Sequence, residues 1–240
     1  MNSALIFAGG TGTRMNSKGK PKQFLELHNK PIIIYTIEKF ENCDSIDEII
    51  VVCHKDWINY LWDLLVRFNI KKVVEVVPGG KMGQHSIRNG LRAISKRHCS
   101  DTDIVLIHDG VRPLIYEETI ETNISTVKKL GNCITTAPVT ETVVRVDEDE
   151  KIEQIYDRSL CRLARAPQSF FLKDVLEAHI RLEEAGDVVM IDTAMLMNAY
   201  GVKLNMIQGP CENIKITTPM DFYIFKAIID AQENSQIWGL

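Results

Sequence analysis

The chain of 240 residues has no apolar run long enough to span a bilayer, and Met1-Asn2-Ser3 lacks the charged start of a signal peptide. No membrane partner is expected, and a cytoplasmic location is the default. The six cysteines (Cys43, Cys53, Cys99, Cys133, Cys161 and Cys211) form no C-x-x-C pair, so they read as free thiols in a reducing compartment. The six histidines show neither H-x-x-x-H nor H-x-H spacing. A zinc site is therefore not expected, and any metal should be held by oxygen. Internal repeats, low-complexity tracts and an evident interdomain linker are also missing. There is no large excess of charge either: the net charge is −4, with 45% hydrophobic and 25% charged residues, ordinary values for a soluble globular protein.

What is there begins at residue 4. Ala4-Leu5-Ile6-Phe7-Ala8 is a short apolar run, as expected of a buried parallel strand. Gly9-Gly10-Thr11-Gly12-Thr13-Arg14-Met15 follows at once, and Arg14, Lys18, Lys20 and Lys22 come with no acid among them. A cationic loop in an acidic chain suits a small polyanion rather than a nucleic acid. Glycines let backbone N–H groups approach phosphate oxygens, and Arg and Lys supply neutralising charge. A dinucleotide fingerprint would place a third glycine where Met15 stands. A P-loop would need glycine at Arg14 or Glu75, ahead of Gly19-Lys20 or Gly80-Lys81.

Apolar runs then alternate with helical patterns. Glu48–Cys53, Val73–Val77, Ile104–Ile107 and Cys133–Ala137 read as strands; Asp56–Phe68 and Glu117–Leu130 read as helices, with a further helix carrying Ile87, Leu91 and Ile94. This order predicts an α/β fold: an open, mostly parallel sheet with helices on both faces. Ligands in such sheets bind at the carboxyl ends of strands. The N-terminal glycine loop, Gly79-Gly80 and His108-Asp109 each close a strand, so all three should converge on one crevice. Thr142–Val146 and Ile152–Tyr156 read as a hairpin around a charged turn. So little core of its own makes it marginal alone, and either a second subunit or its own domain must cover it. Near the end, Thr218, Pro219 and Asp221 predict the start of a last helix.

With these segments in view, the chain resembles the family of 2-C-methyl-D-erythritol 4-phosphate and ribitol-5-phosphate cytidylyltransferases. The resemblance covers almost the full length. It rests on Ala8-Gly9-Gly10-Thr11-Gly12-Thr13-Arg14-Met15, Pro21-Lys22-Gln23, Gly79-Gly80 with Ser86, and His108-Asp109-Gly110-Val111-Arg112-Pro113. Pro138 to Thr142, Asp157-Arg158, Pro167-Gln168 and Asn213-Ile214-Lys215-Ile216-Thr217 complete it. It implies one nucleotidyltransferase domain over 1–240, with 139–158 as a β-arm that reaches a neighbouring subunit in a homodimer. The reaction implied joins a polyol phosphate to the α-phosphate of CTP and releases pyrophosphate. Its main demand is to hold two anions in line and neutralise the charge that builds up.

By the same resemblance, Arg14, Lys22 and Lys215 match the catalytic cations. Ala8, Gly9, Gly10, Thr11, Gly12, Gly79, Gly80 and Ser86 match the CTP site. Asp109, Arg112, Thr142, Arg158 and Asp192 match the acceptor contacts, Thr142 and Arg158 through its phosphate. Mg²⁺ is the implied metal, because it bridges phosphates with few protein ligands. Asp109, at the end of a buried strand, can bind that metal, accept polyol hydroxyls or cap the following turn. His108 is expected to be packed or hydrogen-bonded rather than catalytic. The methylerythritol enzymes carry threonine where this chain has Ala166, and both branches carry Thr-Asp where it has Ile191-Asp192. Loss of a hydroxyl donor disfavours the substrate it served. The stretches Pro21 to Leu27, Tyr35 to Phe40 and His54 to Trp57 also look closer to the ribitol-phosphate branch. The expected acceptor is ribitol 5-phosphate or a related pentitol phosphate; methylerythritol phosphate, for isoprenoid precursors, is the alternative.

Overall fold

A computed structural model of the chain describes residues 1–9 and 19–238. β1 (Asn2–Ala8) is followed by a 3₁₀ turn (Lys22–Phe24) and two short strands, β2 (Glu26–Leu27) and β3 (Lys30–Pro31). Then come α1 (Ile32–Glu41), β4 (Glu48–Cys53), α2 (Ile58–Arg67), β5 (Val73–Pro78), α3 (Gly83–Arg97) and β6 (Ile104–Asp109). After α4 (Glu117–Leu130) and β7 (Asn132–Pro138), the chain forms a hairpin of β8 (Val144–Val146) and β9 (Ile152–Ile155). β10 (Arg162–Phe171), α5 (Leu172–Glu184), α6 (Thr193–Ala199), β11 (Met206–Gln208) and α7 (Pro219–Trp238) complete it.

Seven strands form one sheet in the order β11-β7-β10-β6-β1-β4-β5. β10 runs antiparallel to both its neighbours, and the other pairings are parallel. The open α/β sheet expected from the alternation is present. Strand parity divides its core. Ala4, Ile6 and Ala8 of β1 with Ile49, Val51 and Cys53 of β4 pack with apolar residues of α1, α2 and α4. Leu5, Ile50, Val52, Val105 and Ile107 point the other way, toward α3 and α5. Successive side chains on a strand face opposite sides, so both faces of this sheet require apolar residues. Gly90 inside α3 has a packing reason: a Cβ there would lie 2.2 Å from Leu5 Cδ1.

The antiparallel strand was not anticipated. Pro167 interrupts its pattern, and prolines inside strands sit at edges or bulges. Here the pairing of β10 with β7 shifts register between Ala164 and Gln168, and Pro167 falls in that gap. The hairpin is shorter than its sequence pattern, and its apolar side chains stay open. Val146, Ile152, Ile155 and Leu160 are all more than half exposed. Val144 pairs with Ile155 across it, and both stay exposed. Helix α7 starts as expected, with Thr218 Oγ1 accepting from Asp221 N while Asp221 Oδ2 accepts from the backbone of Thr217 and Thr218. Among the described residues, no helix is long and apolar enough to cross a membrane.

Candidate active site

The carboxyl ends of β1, β4, β5 and β6 meet at one edge of the sheet, and the predicted segments converge there. Gly9 follows β1 and Gly79 follows β5. A Cβ on Gly79 would stand 3.3 Å from Gly9 Cα and 3.2 Å from Ser86 Oγ. Ser86, in the first turns of α3, accepts from the Gly80 N–H at 3.1 Å and donates to the Met82 carbonyl at 3.2 Å. Ser86 thus ties both glycine segments into one bare-backbone surface, where side chains on glycine would close the approach. Gln23 is buried and donates to the Ala8 carbonyl at 2.6 Å, fixing the Pro21-Lys22-Gln23 turn beneath the end of β1.

Cations gather around one acid. Asp109, the last residue of β6, is buried; its Oδ1 lies 2.6 Å from Lys215 Nζ and its Oδ2 accepts from Arg112 Nε at 2.7 Å. Burial alone would raise its pKa, but Lys215 and Arg112 outweigh that and hold it down at about 2. The carboxylate is therefore ionised at neutral pH. Lys22 Nζ donates to the carbonyl of Ile216 at 2.9 Å, so Lys22 stands next to the backbone that carries Lys215. The backbone of Ile216 is itself bonded to the Val111 carbonyl at 2.9 Å, which fixes the 213–217 segment against the end of β6. His108 is buried, and its Nε2 contacts the Arg112 carbonyl at 3.0 Å. Burial lowers its pKa to about 4, which leaves it neutral and packed, as expected.

Two cavities open here. One, of about 290 Å³, is lined by Ala8, Gly9, Lys22, Gly80 and Ser86. The other, of about 300 Å³, is lined by Arg112, Arg165, Ala166, Gln168, Ile191 and Asp192. Phe7, Gly83, Asp109 and Lys215 line both. The arrangement offers two adjoining anion-binding chambers with a lysine at their boundary.

Gly10, Thr11, Gly12 and Arg14 lie outside the described residues. Asp192 is at the second cavity, but both its oxygens are engaged. Oδ1 accepts from the Met195 N–H, capping α6, and Oδ2 accepts from Gln168 Nε2. Thr142 and Arg158 are exposed on the hairpin segment and line neither cavity; Arg158 donates to the Thr140 carbonyl instead. Sequence reasoning missed Arg165 and Gln84. Gln84 is buried and binds the 187–190 loop, donating to the Val188 carbonyl and accepting from the Met190 N–H. Neither residue belongs to a motif. Their signal was positional: Arg165 adjoins Ala166-Pro167, and Gln84 stands two residues before Ser86.

The family described as 2-C-methyl-D-erythritol 4-phosphate cytidylyltransferase matches residues 3–231. The chain is 55% identical over 239 residues to the ribitol-5-phosphate cytidylyltransferase of Vibrio parahaemolyticus, covering 100% of both chains. It is 39% identical over 229 residues to the 2-C-methyl-D-erythritol 4-phosphate cytidylyltransferase of Clostridium botulinum, covering 95% of this chain and 97% of that one. The 4-diphosphocytidyl-2C-methyl-D-erythritol synthase of Anaerococcus prevotii superposes with a TM-score of 0.83 at 26% identity, over 96% of each chain.

Proposed function

The chain belongs to the 2-C-methyl-D-erythritol 4-phosphate cytidylyltransferase family and is a CTP-dependent nucleotidyltransferase, and from this premise we propose that its acceptor is ribitol 5-phosphate. One observation carries the reading of the site: the glycine-lined cavity and the arginine-lined cavity share Lys215 and Asp109. CTP occupies the first, against the backbone of Gly9 and Gly80, which carries no side chains, and the acceptor occupies the second. A monoester oxygen of the acceptor attacks the α-phosphorus; the new P–O bond forms as the α–β bridge breaks, and pyrophosphate leaves with that electron pair. The monoester is largely dianionic at neutral pH, so no base is required. Lys215 stands where the two anions meet, and Lys22 and Arg14 serve the nucleotide phosphates.

The donor set suits Mg²⁺. Asp109 is the one carboxylate lining the nucleotide cavity among the described residues. Mg²⁺ is commonly held by one or two carboxylates together with substrate phosphates. Each Asp109 oxygen keeps a further lone pair beyond its contact to Lys215 or Arg112. Bound there, the metal would neutralise phosphate charge.

Ribitol 5-phosphate is favoured over methylerythritol phosphate by the higher identity to the ribitol-phosphate relative, 55% against 39%. Ala166, which stands where the methylerythritol enzymes carry threonine, lines the acceptor cavity and offers it no hydroxyl. The exposed apolar hairpin supports a homodimer, because a two-stranded ribbon needs a surface to cover it. Thr142 and Arg158, outside their own chain's cavities, would then reach a partner's acceptor site. The six free thiols suit a cytoplasmic enzyme. The test is pyrophosphate release from CTP with Mg²⁺ and a panel of polyol phosphates, with UTP and ATP as competing donors. Ribitol 5-phosphate with CTP should be the best pair; faster turnover of methylerythritol phosphate would move the chain to that substrate.

A further inference from the structure

Arg165 lies in the acceptor cavity with Arg112. The two guanidiniums share one acceptor: Arg112 Nη1 donates to the Asn213 carbonyl at 2.9 Å, and Arg165 Nη1 donates to the same oxygen at 2.7 Å. The two nitrogens are therefore no further apart than those two bonds laid end to end. Like charges so close repel, and partial burial strengthens the repulsion. Arg112 is compensated by Asp109, which Lys215 also uses. Asp192 has both oxygens committed to Met195 and Gln168. Among the described residues, no carboxylate pairs with Arg165. Three cations at this cavity, Arg112, Arg165 and Lys215, thus share a single directly paired acid.

An arginine that makes one bond to a neutral carbonyl leaves most of its five donors for a ligand. Two adjacent guanidiniums match a phosphate monoester in charge and in donor geometry. We propose that Arg165 binds the phosphate of the acceptor, forming with Arg112 a guanidinium pair that holds the attacking monoester beside Lys215. The proposal rests on the cytidylyltransferase reading above and assigns it a phosphate contact within one chain. Burial and the neighbouring Arg112 both disfavour the charged form of Arg165 and outweigh the opposing effect of Glu212, a cost that a bound dianion would relieve.

The competing role is a strut that holds the 213–217 segment through the Asn213 carbonyl. Two variants separate the roles. Arg165→Gln keeps an N–H donor for that carbonyl and removes the charge; Arg165→Lys keeps the charge and loses the fork. The expected result for Arg165→Gln is a rise of about tenfold or more in the KM for ribitol 5-phosphate, equivalent to about 1.4 kcal/mol, with the KM for CTP changed by less than about twofold. Arg165→Lys should recover much of the loss. Inorganic phosphate should compete with the acceptor in the wild type and bind about tenfold more weakly to Arg165→Gln by titration calorimetry. Unchanged acceptor KM and phosphate affinity in Arg165→Gln would overturn the proposal, as would an equal loss in both variants. A wild type that transfers nothing to ribitol 5-phosphate refutes the acceptor assignment instead, and the phosphate titration still decides the role of Arg165.

Discussion

Replacing Asp109 by Asn perturbs the point at which both cavities join. The side chain is 9% exposed and carries cation contacts at 2.6 and 2.7 Å, to Lys215 and Arg112. Removing one member of a buried ion pair typically costs about 3–5 kcal/mol, because the remaining charge stays buried and unpaired. Arg112 is 12% exposed and bears that full penalty, whereas Lys215 is 42% exposed and is partly rescued by water. The lower end, about 3 kcal/mol, is therefore expected. For a chain of this size that is a fall in Tm of about 6–12 °C. The catalytic effect has a distinct sign. The site gains one net positive charge but loses the carboxylate that would hold Mg²⁺, so the apparent affinity for Mg²⁺ should fall. Lys215 loses its anchor at the α-phosphate, and kcat should fall by about 10²–10³. Thermal unfolding by circular dichroism and initial-rate pyrophosphate release at 25 °C read the two effects separately. A variant with Tm within about 2 °C and kcat within about threefold of the wild type would refute the reasoning.

Lys22→Ala should lower kcat by about 10²-fold or more while the fold persists, since Lys22 lines the nucleotide cavity and its Nζ donates to the Ile216 carbonyl rather than packing in the core; normal turnover would remove it from the phosphate site. His108 and His179 are both buried neutral, each with its pKa lowered from 6.5 to about 4 by burial, with Arg88 adding to the effect at His179. Unfolding lets each ring take up a proton below its ordinary pKa, so stability is complete near neutrality and is lost as pH falls from 6.5 toward 4. The loss should be about 2 kcal/mol per ring by pH 5, and His179→Leu should flatten the Tm–pH curve; a Tm unchanged between pH 7 and pH 5 would contradict this. On the hairpin, Val146→Asp with Ile155→Asp should convert a dimer to a monomer in light scattering and raise the acceptor KM while CTP still binds. A wild type that is monomeric and fully active would remove the arm from the active site.

Much of this molecule was legible in its sequence because the relevant residues act through local rules. The apolar runs of β1, β4 and β6 are too short for helices, and β1 and β6 close on glycine or acid, which located both the sheet and its ligand edge. The N-terminal glycine loop, Gly79-Gly80 and His108-Asp109 were expected to converge; Gly9 and Gly79 meet beside Ser86, and Asp109 lines the same cavity. The cap of α7 followed from Thr218 and Asp221 alone. β10 was hidden because Pro167 breaks its period and because its antiparallel pairing is a long-range choice. Arg165 was hidden for a different reason. A single arginine in sequence reads as solvated, and only the fold brings it to the carbonyl already used by Arg112. Asp192 was read as a substrate contact; it lines the acceptor cavity, and its oxygens also cap α6 and hold Gln168, a wall role that its sequence position does not announce.

The most direct measurement is ³¹P NMR of the purified chain with CTP, Mg²⁺ and ribitol 5-phosphate. The monoester resonance should disappear as two coupled diphosphate signals and free pyrophosphate grow in equal amounts. A monoester signal that persists while CTP is intact or merely hydrolysed would contradict the assignment of the two cavities to a nucleotide and the phosphate that attacks it.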